Sequence, residues 1–160
     1  MINQILNTFK VKLLIRKGAS VNKRDRSGLS ALSYACILTF TDIAIELIAN
    51  GCVCTWSMSL NEYSPLEYLM YKQQYKIVKY IIESGFCIWK EKWLKNNTYQ
   101  SKNINQESLN WIKSYMNKPR SLMSISRQEI RKHLGDVCIY DKIAKLNISN
   151  HLKDYLKMKF

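Results

Sequence analysis

The sequence is poor in the residues that break or anchor a chain. Its 160 residues include only two prolines and five glycines, which leaves little room for long linkers. It contains no run of about 18 apolar residues, so no transmembrane helix is expected. Met1 to Phe9 mixes polar and apolar residues without a basic stretch leading into an apolar one, so no signal peptide is expected. Histidine is scarce: His133 and His151 are the two present, both among basic residues. There is no glycine-rich phosphate loop, and no catalytic constellation stands out. Neither an enzymatic activity nor a cofactor is expected. The five cysteines, Cys36, Cys52, Cys54, Cys87 and Cys138, are odd in number. Without a secretory signal they read as reduced thiols of a cytosolic or nuclear protein. Cys52-x-Cys54 lacks a second ligand pair at zinc-finger spacing, so no metal site is expected.

Acidic residues are also few. Twelve Asp/Glu oppose 25 Lys/Arg, for a net charge of +13. The excess is uneven: ten basic against six acidic residues in 1–88, and fifteen against six in 89–160. A basic half fits a nucleic-acid binder. The more ordinary reading is a solvated lysine-rich surface or one that meets an acidic protein. Apolar residues make up 47% of the chain, enough for a buried core.

The first half repeats. Val11 to Gly18, Ile43 to Gly51 and Ile77 to Gly85 are similar phrases whose closing glycines stand 33 and 34 residues apart. Each carries apolar residues at helical spacing and ends on a residue suited to a left-handed cap. A second phrase recurs between them, with Ser30-Ala31-Leu32 matched by Ser64-Pro65-Leu66 after 34 residues. Ser30 and Ser64 suit helix N-caps, and Pro65 suits a first helical position. Period and phrase predict stacked helix pairs that cannot bury their faces singly. Leu32, Ala35, Leu47, Ile48, Leu66, Leu69, Val78 and Ile81 are the expected core.

These phrases resemble ankyrin repeats, whose usual pattern is Thr-Pro-Leu-His-x-Ala with a Gly-Ala-Asp-x-Asn end. Gly18-Ala19-Ser20-Val21-Asn22 is close to that end. Ala31 replaces proline, and Ser33 and Glu67 replace histidine. The resemblance implies about two and a half repeats in residues 1–88, with exposed fingers between units. Lys23, Arg24 and Arg26 on the first finger, and Trp56 and Tyr63 on the second, are candidate substrate-binding residues. Large apolar residues there could equally fold back onto the stack.

Residues 89–118 read as a helical joining or capping segment. Trp89, Trp93 and Leu94 share one helical face. A second helix is predicted from about Gln106 to Asn117, ended by Pro119. Its aromatics beside lysines could stack on single-stranded bases or pack on the last repeat. From Pro119 a three-helix unit is expected. Ser121 caps a helix that ends at Gly135 and carries Leu122, Ser126 and Ile130 at i, i+4, i+8. Ile139, Ile143 and Leu146 mark the next helix, and Leu152, Tyr155 and Leu156 the last.

This layout resembles the SOCS box of the ankyrin repeat and SOCS box family. That family has Pro-Arg-Ser-Leu, three residues, cysteine, then Arg-x-x-Ile/Ala-Arg. Here Pro119-Arg120-Ser121-Leu122 leads to Ser126-Arg127-Gln128-Glu129-Ile130-Arg131. The resemblance implies an all-α chain: a short ankyrin solenoid followed by a three-helix SOCS-box unit over 119–160. It implies a substrate adaptor of a ubiquitin ligase, with Leu122, Ser126 and Ile130 binding elongin C of an elongin B/C pair. It further implies contact with a cullin-5 class cullin and its RING partner, involving Leu146 and Ile148. Ser126 stands where the family has cysteine. Its hydroxyl needs a partner, which the Leu122 carbonyl could supply. Leu146-Asn147-Ile148-Ser149 replaces a Leu-Pro-x-Pro element that contributes to cullin choice. An ankyrin scaffold without ligase recruitment, and a basic nucleic-acid binder, are the alternatives.

Overall fold

Capping serines start the two helices of the recurring phrase. The Ser30 hydroxyl accepts from the Ser33 amide at 3.2 Å, and the Ser64 hydroxyl accepts from the Glu67 amide at 3.2 Å. Each satisfies one of the amides that a helix start leaves without a partner. The helices that follow are α2 (Ala31–Ile37) and α4 (Pro65–Tyr71), the latter with Pro65 in its first turn. The glycine-closed phrases form α1 (Ile2–Arg16), α3 (Thr41–Ala49) and α5 (Tyr75–Ser84). The computed structural model describes residues 2–53, 64–86, 88, 91–95, 104–135 and 137–159. Trp56, Tyr63, Cys54, Cys87 and Trp89 lie outside the described residues.

The helices stack as the period requires. α2 packs on α3, α4 on α5, and the glycine-closed helices α1, α3 and α5 lie side by side. Leu32, Ala35, Leu47, Ile48, Leu66, Leu69, Val78 and Ile81 are all buried in one cluster. Polar bonds tie successive units together. The Asn22 side chain accepts from the Val53 amide at 2.7 Å, the Cys52 thiol donates to the Val21 carbonyl at 3.4 Å, and Thr41 donates to Gln74 at 3.0 Å.

The joining segment extends this core. Trp93 and Leu94 of α6 (Lys92–Lys95) and Leu109 and Ile112 of α7 (Gln106–Asn117) belong to the same cluster. α7 starts on Asn105, whose side chain accepts from the Glu107 amide at 2.8 Å. Trp111 is exposed beside Tyr115.

A buried carboxylate fastens the segment to the stack. Glu91 accepts from the Ser64 hydroxyl and from the Trp93 indole N–H. Burial pushes its carboxyl above the usual range; the two donated bonds oppose this, and the nearby Glu67 carboxylate adds to it. A carboxyl whose pKa is raised on folding stabilises the fold below its unfolded pKa and loses that contribution as pH rises through the folded value. Glu91→Gln keeps an oxygen acceptor and removes the charge. It is expected to raise Tm by about 2–4 °C at pH 7. The gain should fade as pH falls below the ordinary glutamate value of 4.5, as the wild-type carboxyl becomes protonated in both states. A lower Tm at pH 7 would contradict this account.

The C-terminal unit consists of α8 (Leu122–Leu134), α9 (Ile139–Ala144) and α10 (Asn150–Leu156), packed on one another. Ile139, Ile143 and Leu156 form its small core, with Leu134, Tyr140 and Leu146 against it. The apolar face expected for α10 is only partly used: Leu156 is buried, Tyr155 half-buried and Leu152 exposed. The small core reaches only the C-terminal turn of this seven-residue helix. Among the described residues no helix is long and apolar enough to cross a membrane.

Candidate docking face of the C-terminal unit

α8 is oriented against the usual amphipathic rule. Ser121 caps it, accepting from the Ser124 amide at 3.2 Å. The first helical residue, Leu122, is 80% exposed, and Ile130 is 41% exposed. Met123, Ile125 and Ser126 are exposed too. No bond joins the Ser126 hydroxyl to the Leu122 carbonyl among the described residues, so solvent satisfies it in the free protein. The sequence motif thus forms one outward stripe, flanked by further apolar side chains. An uncovered apolar helix face of this kind suits a groove on a partner.

The opposite face buries two arginines. Arg131 donates through Nη1 to the Leu156 carbonyl at 2.5 Å, and through Nη2 to the carbonyls of Ala49 at 2.6 Å and Ile48 at 3.2 Å. Arg127 donates to the Glu83 carbonyl at 2.8 Å and to the Glu83 carboxylate at 2.9 Å, and its guanidinium lies 4.6 Å from the centre of the Tyr155 ring. Ala49 and Glu83 are equivalent positions in successive repeats, 34 residues apart. Both lie at the C-terminal end of their helix, where free carbonyls and the helix dipole attract a cation. One turn of α8 therefore places two guanidinium groups on the ends of two stacked helices. Burial, opposed by Tyr140 and aided by the neighbouring Arg127 charge, lowers the Arg131 pKa to about 10. It stays protonated at neutral pH.

Gly85 lets α8 approach. It caps α5 at φ 112°, in the left-handed region, and a Cβ there would stand 2.9 Å from the Gln128 side chain. Gln128 in turn accepts from Arg120.

The sequence motif contains Arg127 and Arg131 but assigns them no role. A signal was present: the lysine-rich segment 89–160 has twelve lysines and only three arginines, Arg120, Arg127 and Arg131. Arginine is the cation whose planar fork can reach several acceptors at once, and Arg127 and Arg131 make such contacts.

The other candidates are scattered. Leu146 packs against the small core, while Ile148 is exposed on the segment before α10. That segment has no proline; Ser149 caps α10 and Lys153 donates to the Ala144 carbonyl at 2.9 Å. On the first finger, Lys23 and Arg26 are exposed. Arg24 instead folds back and donates to the Gly28 carbonyl at 2.8 Å. Asp25 holds this finger closed, accepting from the Ser27 and Leu29 amides and, at 2.6 Å, from the Tyr34 hydroxyl. The Tyr34 bond is the first cause of the lowered Asp25 pKa. The finger thus stays basic and exposed from Lys23 to Ser27, with its backbone braced by these bonds. His133 and His151 are exposed.

Comparison with known families gives two matches. The model for ankyrin repeats, in three copies, matches residues 4–92. The SOCS box model matches residues 118–157. No curated protein matches the chain.

Proposed function

The chain belongs to the ankyrin-repeat family and carries a C-terminal SOCS box, and from that premise we propose that it is a substrate-recognition adaptor of an elongin–cullin ubiquitin ligase. Adaptors of this architecture are non-catalytic. A SOCS box implies elongin B/C binding in general. The observation that carries the reading here is the outward stripe of Leu122, Ser126 and Ile130 on a helix whose other face is fixed to the stack.

In this reading residues 1–88 select the target, 89–118 cap the stack and 119–160 recruit the ligase. Leu122 fills a pocket on elongin C, with Ser126 and Ile130 beside it. Serine for cysteine at this point exchanges a small apolar group for a hydroxyl and weakens the contact by about tenfold at most. Ile148 is the side chain that remains available for a cullin. Other subunits transfer ubiquitin, and this chain supplies proximity by holding the target near the charged carrier.

Co-expression with elongin B and C tests the proposal. A complex that survives size-exclusion chromatography at micromolar concentration is expected. Failure to form it would leave an ankyrin scaffold without ligase recruitment. Salt-sensitive retention on DNA or RNA, without elongin binding, would instead favour the nucleic-acid alternative.

A further inference from the structure

We propose that the first finger of the stack is a preformed dock for an acidic segment of a partner protein, and that Asp25 and Tyr34 are the residues that position it. The finger lies between the first and second units, from Asn22 to Gly28. Lys23, Arg24 and Arg26 on it are exposed. Asp25 is its single carboxylate, and no other Asp or Glu occurs in residues 1–41. Among the described residues no carboxylate pairs with Lys23 or Arg26.

The backbone beneath these cations is fixed. The Asp25 amide donates to the Leu29 carbonyl at 2.9 Å, and the Gly28 amide donates to the Asp25 carbonyl at 3.0 Å. Gly28 closes the turn at φ 77°, in the left-handed region that glycine adopts without strain. Arg24 and Ser30 form an antiparallel bridge at the base of the finger. Asn22 accepts from the Val53 amide at 2.7 Å and donates to the Gly51 carbonyl at 3.3 Å, which ties the base to the next unit. One carboxylate oxygen of Asp25 takes the Ser27 and Leu29 amides, at 2.8 and 2.9 Å. The other takes the Tyr34 hydroxyl from α2 at 2.6 Å. The one negative charge of the finger is thus used in holding its shape.

That arrangement selects the partner. Cations on a loose loop lose backbone and rotamer freedom when they bind; on a braced turn only the side chains are ordered, so less is lost. An arginine fork can meet a carboxylate with two bonds. Complementary charge then sets the register of the segment and disfavours basic ones. The net charge of +13 attracts any polyanion; the finger differs in fixing the spacing of its cations. That the docked segment belongs to the ligase target rests on the adaptor reading; the docking itself does not.

The probe is a labelled peptide of alternating glutamate and serine. Its binding to the whole chain is read by fluorescence anisotropy at about 0.15 M salt, where distant exposed charges are screened. It is expected to bind, and its lysine counterpart is not. Lys23→Glu combined with Arg26→Glu should weaken binding about tenfold or more. Lys76→Glu combined with Lys145→Glu, at exposed lysines on α5 and after α9, makes the same change in net charge and should leave binding within about twofold. Asp25→Ala separates shape from charge. It makes the chain more positive, yet should weaken binding about threefold or more because the brace is lost. Tyr34→Phe alters no charge and removes one bond; it should weaken binding too, with an unchanged melting curve. No binding of the glutamate peptide, equal weakening by the two charge-reversed pairs, or unchanged or tighter binding in Asp25→Ala and Tyr34→Phe overturns the proposal. Elongin B/C binding is measured alongside. Its loss in Leu122→Asp with peptide binding intact concerns the adaptor, and loss of peptide binding in the Lys23→Glu, Arg26→Glu pair with elongin retained concerns the finger.

Discussion

Leu122→Asp is expected to weaken binding to elongin B/C by about 100-fold or more while leaving the melting temperature of the free chain unchanged. The two effects separate because of where Leu122 sits. Its side chain is 80% exposed in the free protein, so nothing in the fold depends on it, and exposed substitutions of this kind usually change stability by less than about 0.5 kcal/mol. Aspartate is also well tolerated at a helix start, where the dipole favours a negative charge; α8 should therefore remain formed behind the Ser121 cap. In the complex the balance reverses. Burying a leucine contributes about 1.5–3 kcal/mol, and an unpaired carboxylate in its place adds a desolvation penalty of several kcal/mol. Isothermal titration of elongin B/C with both proteins, alongside thermal melts, reads both quantities. Unaltered affinity would remove Leu122 from the interface, and a fall in Tm with affinity would show that the side chain supports the fold instead.

Arg131→Met should lower the stability of the whole chain by about 3 kcal/mol, a fall in Tm near 10 °C for a protein of this size. Methionine replaces the volume but not the donors. The Ala49 and Leu156 carbonyls, buried under the guanidinium, would each lose a charged partner, at about 1–3 kcal/mol for each acceptor left unsatisfied. Arg131→Lys is expected to recover only part of the loss, because one ammonium cannot span three carbonyls on two helices. A further consequence follows from the position of these carbonyls. They belong to α3 and α10, so the substitution loosens the C-terminal unit from the stack. Amide hydrogen exchange should quicken in α8 to α10 more than in α2 to α5. Uniform quickening, or a Tm within a degree or two of wild type, would mean that Arg131 does not carry this joint.

Much of the fold can be read without coordinates. The 33- and 34-residue spacing of Gly18, Gly51 and Gly85 places the repeats, and the eight core residues inferred from helical periodicity are all buried. Ser30, Ser64 and Ser121 each cap the helix that follows. These features are legible because they depend on neighbours within about four residues. Less was legible at the docking face. The stripe of Leu122, Ser126 and Ile130 is visible as a period, but a period does not say whether it points to a core or to solvent.

The sequence by itself determined the caps at Ser30, Ser64 and Ser121, the two-part order of stack and C-terminal unit, and the residues that fill the repeat core, since capping, propensity and apolar spacing are local. Only the tertiary structure decided which side of α8 is free. Arg127 and Arg131 turn inward because the stack brings the carbonyl ends of α5 and α3, distant in sequence, to one place. A charged side chain will leave water for acceptors arranged in that way, and once it does, the leucine and isoleucine on the far side of the helix have nowhere to go but out.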